Sequence, residues 1–208
     1  MGKDRTDKSL PQPHKRPSQA RAKFTVDSLY EEFVRIWRRD GPEAATTRAI
    51  AEESGYAVGT LYEYFPNRTA LLSGYVRHCM EQLCSDLAAA NTALAGEPWE
   101  TRLRKLVRLT LDEDGQAPYF DREMLERENQ IASDARHRQI FQHLARTWSQ
   151  CIAQWEDFPG AVDDTVIDIL LLTLWGGRRY SFLVDTGTPD QRGELSTRMA
   201  RALLLPEE

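Results

Sequence analysis

Cysteine is scarce in this sequence. There are three, Cys79, Cys84 and Cys151, an odd number without C-x-x-C spacing. That fits reduced thiols better than a disulfide framework. Cys79 and Cys84 lie five positions apart, so on a helix they diverge and make a poor metal pair. The four histidines are as sparse, and His137 and His143, six apart, do not share a helical face. No metal and no cofactor is expected. Long hydrophobic runs are missing too. The most apolar stretch, Val166 to Trp175, contains Asp168 and stops at Gly176-Gly177-Arg178-Arg179, whereas a membrane span needs about 20 apolar residues. Residues 1–23 hold no apolar segment of the kind a signal peptide carries. A soluble, cytoplasmic protein is the expectation. Alternating strand patterns, hairpin signals and internal repeats are absent. So are G-x-S-x-G, H-E-x-x-H and a glycine-rich phosphate loop. The carboxylates of DREMLERE, Asp121 to Glu128, read as the polar face of an amphipathic helix. No enzyme is expected.

What is present is a chain of 208 residues, 41% hydrophobic, which is enough to bury a substantial core. The net charge of −5 argues against unselective coating of nucleic acid. The charge is unevenly placed. Residues 1–80 carry 13 Lys and Arg against 10 Asp and Glu; residues 81–208 carry 14 against 22. A basic front and an acidic rear suggest two parts with different partners. Residues 1–18, with Pro11, Pro13 and Pro17 and almost no apolar side chains, read as a disordered basic arm. Such an arm is either a solvated tail or a segment that touches phosphates or the minor groove.

From Phe24 onward the periodicity is helical. Val26, Leu29, Tyr30, Phe33 and Trp37 recur at three- and four-residue steps. Gly41-Pro42 stops that helix. A short helix starts near Thr46, a residue able to cap it, and closes at Gly55. Another runs from about Val58 to Phe65, broken by Pro66-Asn67. Longer helices follow, with stripes Leu71–Leu83, Trp99–Leu111, Ile140–Trp155 (ended by Pro159-Gly160) and Val166–Val184. Pro118 is expected to open a short helix, and Thr188-Pro189 the last one. The class is all-α, with about nine helices, residues 19–72 forming one domain and 73–208 a second.

The stretch from Thr46 to Leu72, TTRAIAEESGYAVGTLYEYFPNRTALL, is the informative one. A recognition helix must enter a major groove about 12 Å wide and bring short side chains near base edges. Gly59 lets backbone approach closely, and Thr60 offers a methyl and a hydroxyl. Tyr62 and Tyr64, two apart, diverge around the helix, with hydroxyls that can reach phosphates. Leu61 and Phe65 share a face and should pack inward on Ile50 and Trp37. Plain core aromatics are the alternative for the two tyrosines. In order and type, Gly59, Thr60, Leu61, Tyr62, Tyr64 and Phe65 resemble the hallmark of the TetR family of transcription regulators. The resemblance covers about residues 20–72. It implies an N-terminal three-helix, helix-turn-helix DNA-binding domain and a C-terminal helical domain for ligand binding and dimerisation. The DNA-binding residues it implies are Thr46, Thr47, Arg48, Val58, Gly59, Thr60, Tyr62, Tyr64 and Arg68. Two positions depart from the pattern. Ala57 stands where the family commonly has a capping Ser, and Glu63 is unusual on a DNA-facing helix.

For the remainder, the resemblance implies double-stranded DNA and a second copy of the chain as partners, the homodimer forming through about 162–186 and 189–204. The apolar surplus of Val166–Trp175 agrees with such an interface. Trp99, Phe120, Trp148 and Trp175 are candidates to line a pocket for a small, largely apolar effector. Ordinary core packing is the alternative for each. The expectation is a ligand-responsive repressor on a palindromic operator. An activator or ligand-independent regulator of the same fold stands beside it, and a helical interaction module without DNA binding stands further off.

Overall fold

A computed structural model describes residues 20–112, 118–181 and 187–205, with side chains for all of these but 178–181. The arm expected at 1–18 and the side chains of Arg178 and Arg179 lie outside the described residues. Among the described residues the chain forms nine α-helices, one 3-10 turn and no strand. No described helix is long and apolar enough to cross a membrane.

Helix α1 (Ala20–Asp40) buries Val26, Leu29, Tyr30, Phe33, Ile36 and Trp37 on one stripe. It ends at Gly41, whose φ of 86° suits glycine. A 3-10 turn at Pro42–Ala44 follows, which the apolar pattern does not signal because three residues carry no period. Helix α2 (Thr47–Glu53) is capped as expected: the Thr46 hydroxyl accepts from the Ala49 N–H. Gly55, at φ 73°, turns the chain into α3 (Val58–Tyr64). Helix α4 (Arg68–Ala93) opens at Asn67, whose side-chain oxygen accepts from Ala70 N–H at 2.9 Å.

Helix α5 (Trp99–Leu111) closes on Asp112 in the left-handed region. Helix α6 (Arg122–Ile131) starts four residues beyond Pro118, where it was expected to begin. Helix α7 (Asp134–Ile152) likewise ends before Pro159-Gly160, and turns carry Trp155 and Phe158 back into the core. Helices α8 (Asp164–Ser181) and α9 (Pro189–Leu204) complete the chain. Thr188 and Gln191 form a capping box at the start of α9.

The described residues divide into two compact units. The first contains the chain up to Arg77 together with Glu123–Ser133, and so takes in α6. Its core is an aromatic cluster: Tyr30, Phe33 and Tyr75 meet at 5.5 Å, and Phe65 lies 5.5 Å from Tyr30. The second unit contains His78–Arg122 and the described residues from Asp134 onward. There α5 packs on α8 and α9, and α7 on α8. Trp148 is fully buried, with its indole N–H donating to the Thr110 hydroxyl at 3.3 Å. Trp155 donates to Asn91 at 2.7 Å. Arg102 is buried but donates to the carbonyls of Leu94 and Gln154, which meets the cost of taking a guanidinium out of water. Cys84 and Cys151 are buried free thiols, and burial pushes the Cys151 thiol up to about 11.

Candidate nucleic-acid interface

Helix α3 has seven residues, so each position is either packed or presented. Leu61 is fully buried, Phe65 at its end is 1% exposed, and Tyr64 is 7% exposed. Positions three and four after Leu61 return to its side of the helix. That periodicity corrects the expectation for Tyr64. Its ring lies 6.5 Å from Phe65 in the core. Tyr62 is on the opposite side and 46% exposed. Glu63 and Gly59 are also exposed, while Val58 and Thr60 are half-buried.

Gly59 is informative because nothing in the described protein demands it. Its φ lies outside the left-handed region, and a Cβ built there meets no described atom within 4 Å. The backbone at that point is open to the surface.

Helix α2 supplies the other half of the surface. Thr47 and Tyr62 share a hydrogen bond at 3.2 Å between their hydroxyls, joining α2 to the outer face of α3. Arg48 is 81% exposed and paired to Glu52 at 2.7 Å. That pairing, by hydrogen bond and charge, raises the guanidinium's pKa above its ordinary value. An exposed pair of this kind is cheap to exchange for a phosphate. Behind the surface, Glu53 accepts from Arg39 at 2.7 Å and Arg35 at 3.1 Å, tying α2 to α1. The Arg39 guanidinium holds the Glu53 carboxyl below the usual carboxylate range.

Arg68 begins α4, just past the Pro66-Asn67 break. One of its nitrogens donates to the Pro42 carbonyl and another to Glu43 at 3.2 Å. Glu43 also accepts from Arg127 of α6 at 2.6 Å. These contacts were not legible in the sequence, since Arg127 and Glu43 stand 84 residues apart. The recognition helix itself starts without a side-chain cap, because Ala57 has no oxygen to offer.

The four aromatic candidates of the second unit are dispersed. Trp99 and Trp148 are core residues, Trp99 edge-on to Phe158 at 5.1 Å. Trp175 and Phe120 are half-buried. A cleft of about 540 Å³ does exist in this unit, between α4 and α5. Its walls are Gln82, Asp86, Lys105 and Arg108 with Leu83 and Leu109 among them, and none of the four aromatics lines it.

A short capped helix, a glycine turn and a second short helix presenting Tyr62 and Gly59 form a helix-turn-helix. Residues 34–74 match the family model of the bacterial regulatory proteins, tetR family. The chain is 39% identical over 79 residues to the HTH-type transcriptional repressor KstR of Mycolicibacterium smegmatis. That match spans 38% of this chain and 38% of the repressor's length. Two solved structures share the fold over most of the chain. One is a tetR-family transcriptional regulator from Mesorhizobium loti, with a TM-score of 0.63 at 15% identity, covering 89% of this chain and 98% of that one. The other is Thermus thermophilus FadR, a TetR-family transcriptional repressor in complex with lauroyl-CoA, with a TM-score of 0.60 at 17% identity, covering 88% and 96%.

Proposed function

We propose that the chain is a transcriptional repressor that binds a palindromic operator as a homodimer and lets go when a small effector occupies its second unit. The observation that carries the DNA-binding part is the outer face of α2 and α3. There Thr47, Arg48, Gly59, Thr60 and Tyr62 are presented over a core of Ile50, Leu61 and Phe65. Thr60 and Tyr62 read the major groove. Thr46, Thr47, Arg48 and Arg68 hold the flanking phosphates, and Val58 supplies an apolar contact beside them.

Support for a dimer comes from α8 and α9. Ile169 is 49% and Leu172 61% exposed on α8, and Leu195 is 60% exposed on α9. Apolar surface of that kind is used at interfaces. A twofold dimer carries two recognition helices about 34 Å apart, one DNA turn, hence the palindrome. Repression is supported by the KstR relative, and effector control by the lauroyl-CoA held in FadR. The α4–α5 cleft mixes cations, acids and aliphatics, so the effector inferred here carries polar groups and is not the largely apolar molecule expected from the aromatic count.

DNA selected from a random pool should yield palindromic sites. On the selected site Thr60→Ala and Tyr62→Ala should each lose about 1–3 kcal/mol of affinity with the melting temperature unchanged. Full affinity in both variants would overturn the assignment. An effector must favour the DNA-incompetent form; a hundredfold fall in affinity corresponds to about 2.7 kcal/mol of coupling. It should also raise the melting temperature of the free protein.

A further inference from the structure

We infer that Arg127, outside the helix-turn-helix in sequence, is a positioning residue for DNA binding: by occupying Glu43 it leaves Arg68 available to a DNA phosphate. The inference rests on the reading of Arg68 as a phosphate contact given above.

All three residues belong to the first unit. Glu43 sits in the 3-10 turn between α1 and α2, 75% exposed, with its carboxylate shared. One oxygen takes Arg127 at 2.6 Å, the other Arg68 at 3.2 Å. Arg127 is placed by more than Glu43. It donates to Glu123, one turn earlier on α6, at 2.8 Å, and its guanidinium stands 5.8 Å over the Trp37 ring. With its side chain 34% exposed and engaged on three sides, Arg127 is built to hold position.

A carboxylate beside a phosphate-binding arginine opposes DNA in two ways. It competes for the guanidinium, and its own charge repels the phosphate. Arg127 counters both effects. It takes the shorter of the two contacts, and its positive charge, itself shared with Glu123 at 2.8 Å, offsets that of Glu43 beside Arg68. Glu43 stays ionised through the neutral range, since Arg127 first and Arg68 second hold its carboxyl below the usual carboxylate range. Without Arg127, both Glu43 oxygens are free to close on Arg68 as a two-pronged pair, the preferred carboxylate–guanidinium geometry.

The test is operator affinity measured by fluorescence anisotropy between 50 and 200 mM salt. Arg127→Gln should weaken binding by about two- to fivefold, the scale of a surface ion pair. It should also flatten the slope of log affinity against log salt by about 0.9, the signature of one lost phosphate contact. In a Glu43→Gln background Arg127→Gln should change neither, because the competing carboxylate is already gone. Equal losses in both backgrounds would mean that Arg127 touches DNA itself and would overturn the inference, as would no loss in either. Glu43→Gln alone should raise affinity. This keeps the test decisive should Arg127→Gln fail to fold, and unchanged or weaker binding would again overturn it. Arg68→Gln should flatten the slope like Arg127→Gln. If it does not while Tyr62→Ala still loses the operator, this inference falls and the proposed function stands. If Tyr62→Ala is silent as well, both fall.

Discussion

Tyr62 and Tyr64 are chemically identical, two positions apart on a seven-residue helix, and one step of about 100° each way sends them to opposite environments. Tyr62 keeps its hydroxyl at the surface, on Thr47. Tyr64 is buried beside Phe65. Substitutions should separate these roles. Tyr62→Phe keeps the ring and removes the hydroxyl, so operator affinity should fall while the urea unfolding midpoint stays in place. Tyr64→Ala opens a cavity under the recognition helix and should cost about 3 kcal/mol of stability, as large-to-small aromatic truncations do. Urea titrations of the two variants against the parent check the pair. A stable Tyr64→Ala protein that has lost only DNA would reverse the assignment.

At the scale of the element, α2 and α3 are alike in length and unlike in how they begin. Thr46 satisfies a free N–H of α2, and nothing on Ala57 does this for α3. Short helices depend on such caps, because a single hydrogen-bonded turn barely offsets its own ordering. Ala57 already has the extended backbone that a cap requires, with φ −63° and ψ 143°. Ala57→Ser should therefore stabilise the protein by about 0.5–1 kcal/mol, read as a higher melting temperature. Thr46→Ala should lower it by a similar amount. A melting temperature unmoved by Ala57→Ser would show that the α3 terminus is satisfied from elsewhere.

On the scale of the whole molecule, assembly turns on which side of α8 faces out. The hydrophobic run alone makes Leu170 and Leu174 natural targets for disrupting a dimer, yet both are core residues, 0% and 1% exposed. Glutamate at either would bury an unpaired charge and unfold the second unit. Leu172, 61% exposed, is the informative position. Leu172→Glu should leave a folded protein with an undiminished melting transition and shift sedimentation from dimer to monomer. A wild type that sediments as a monomer at micromolar concentration would remove the dimer from the proposal.

The sequence alone determined the class. Helical periodicity, Gly and Pro stops and a capping threonine are local, each resting on a few consecutive residues, and they appear where their spacing puts them: α1, α2, α3 and the helical tail. The order Gly59-Thr60-Leu61-Tyr62 was legible for the same reason. Only the tertiary structure decided which side of each helix is buried when apolar residues surround it. It put Tyr64 inside, Ile169 and Leu172 outside, and Trp148 in a solid core away from the α4–α5 cleft. It alone brought Arg127 to Glu43 and Arg68. Contacts between residues 84 positions apart have no periodicity to announce them; they exist because folding within the first unit brings a guanidinium of α6 within reach of a carboxylate.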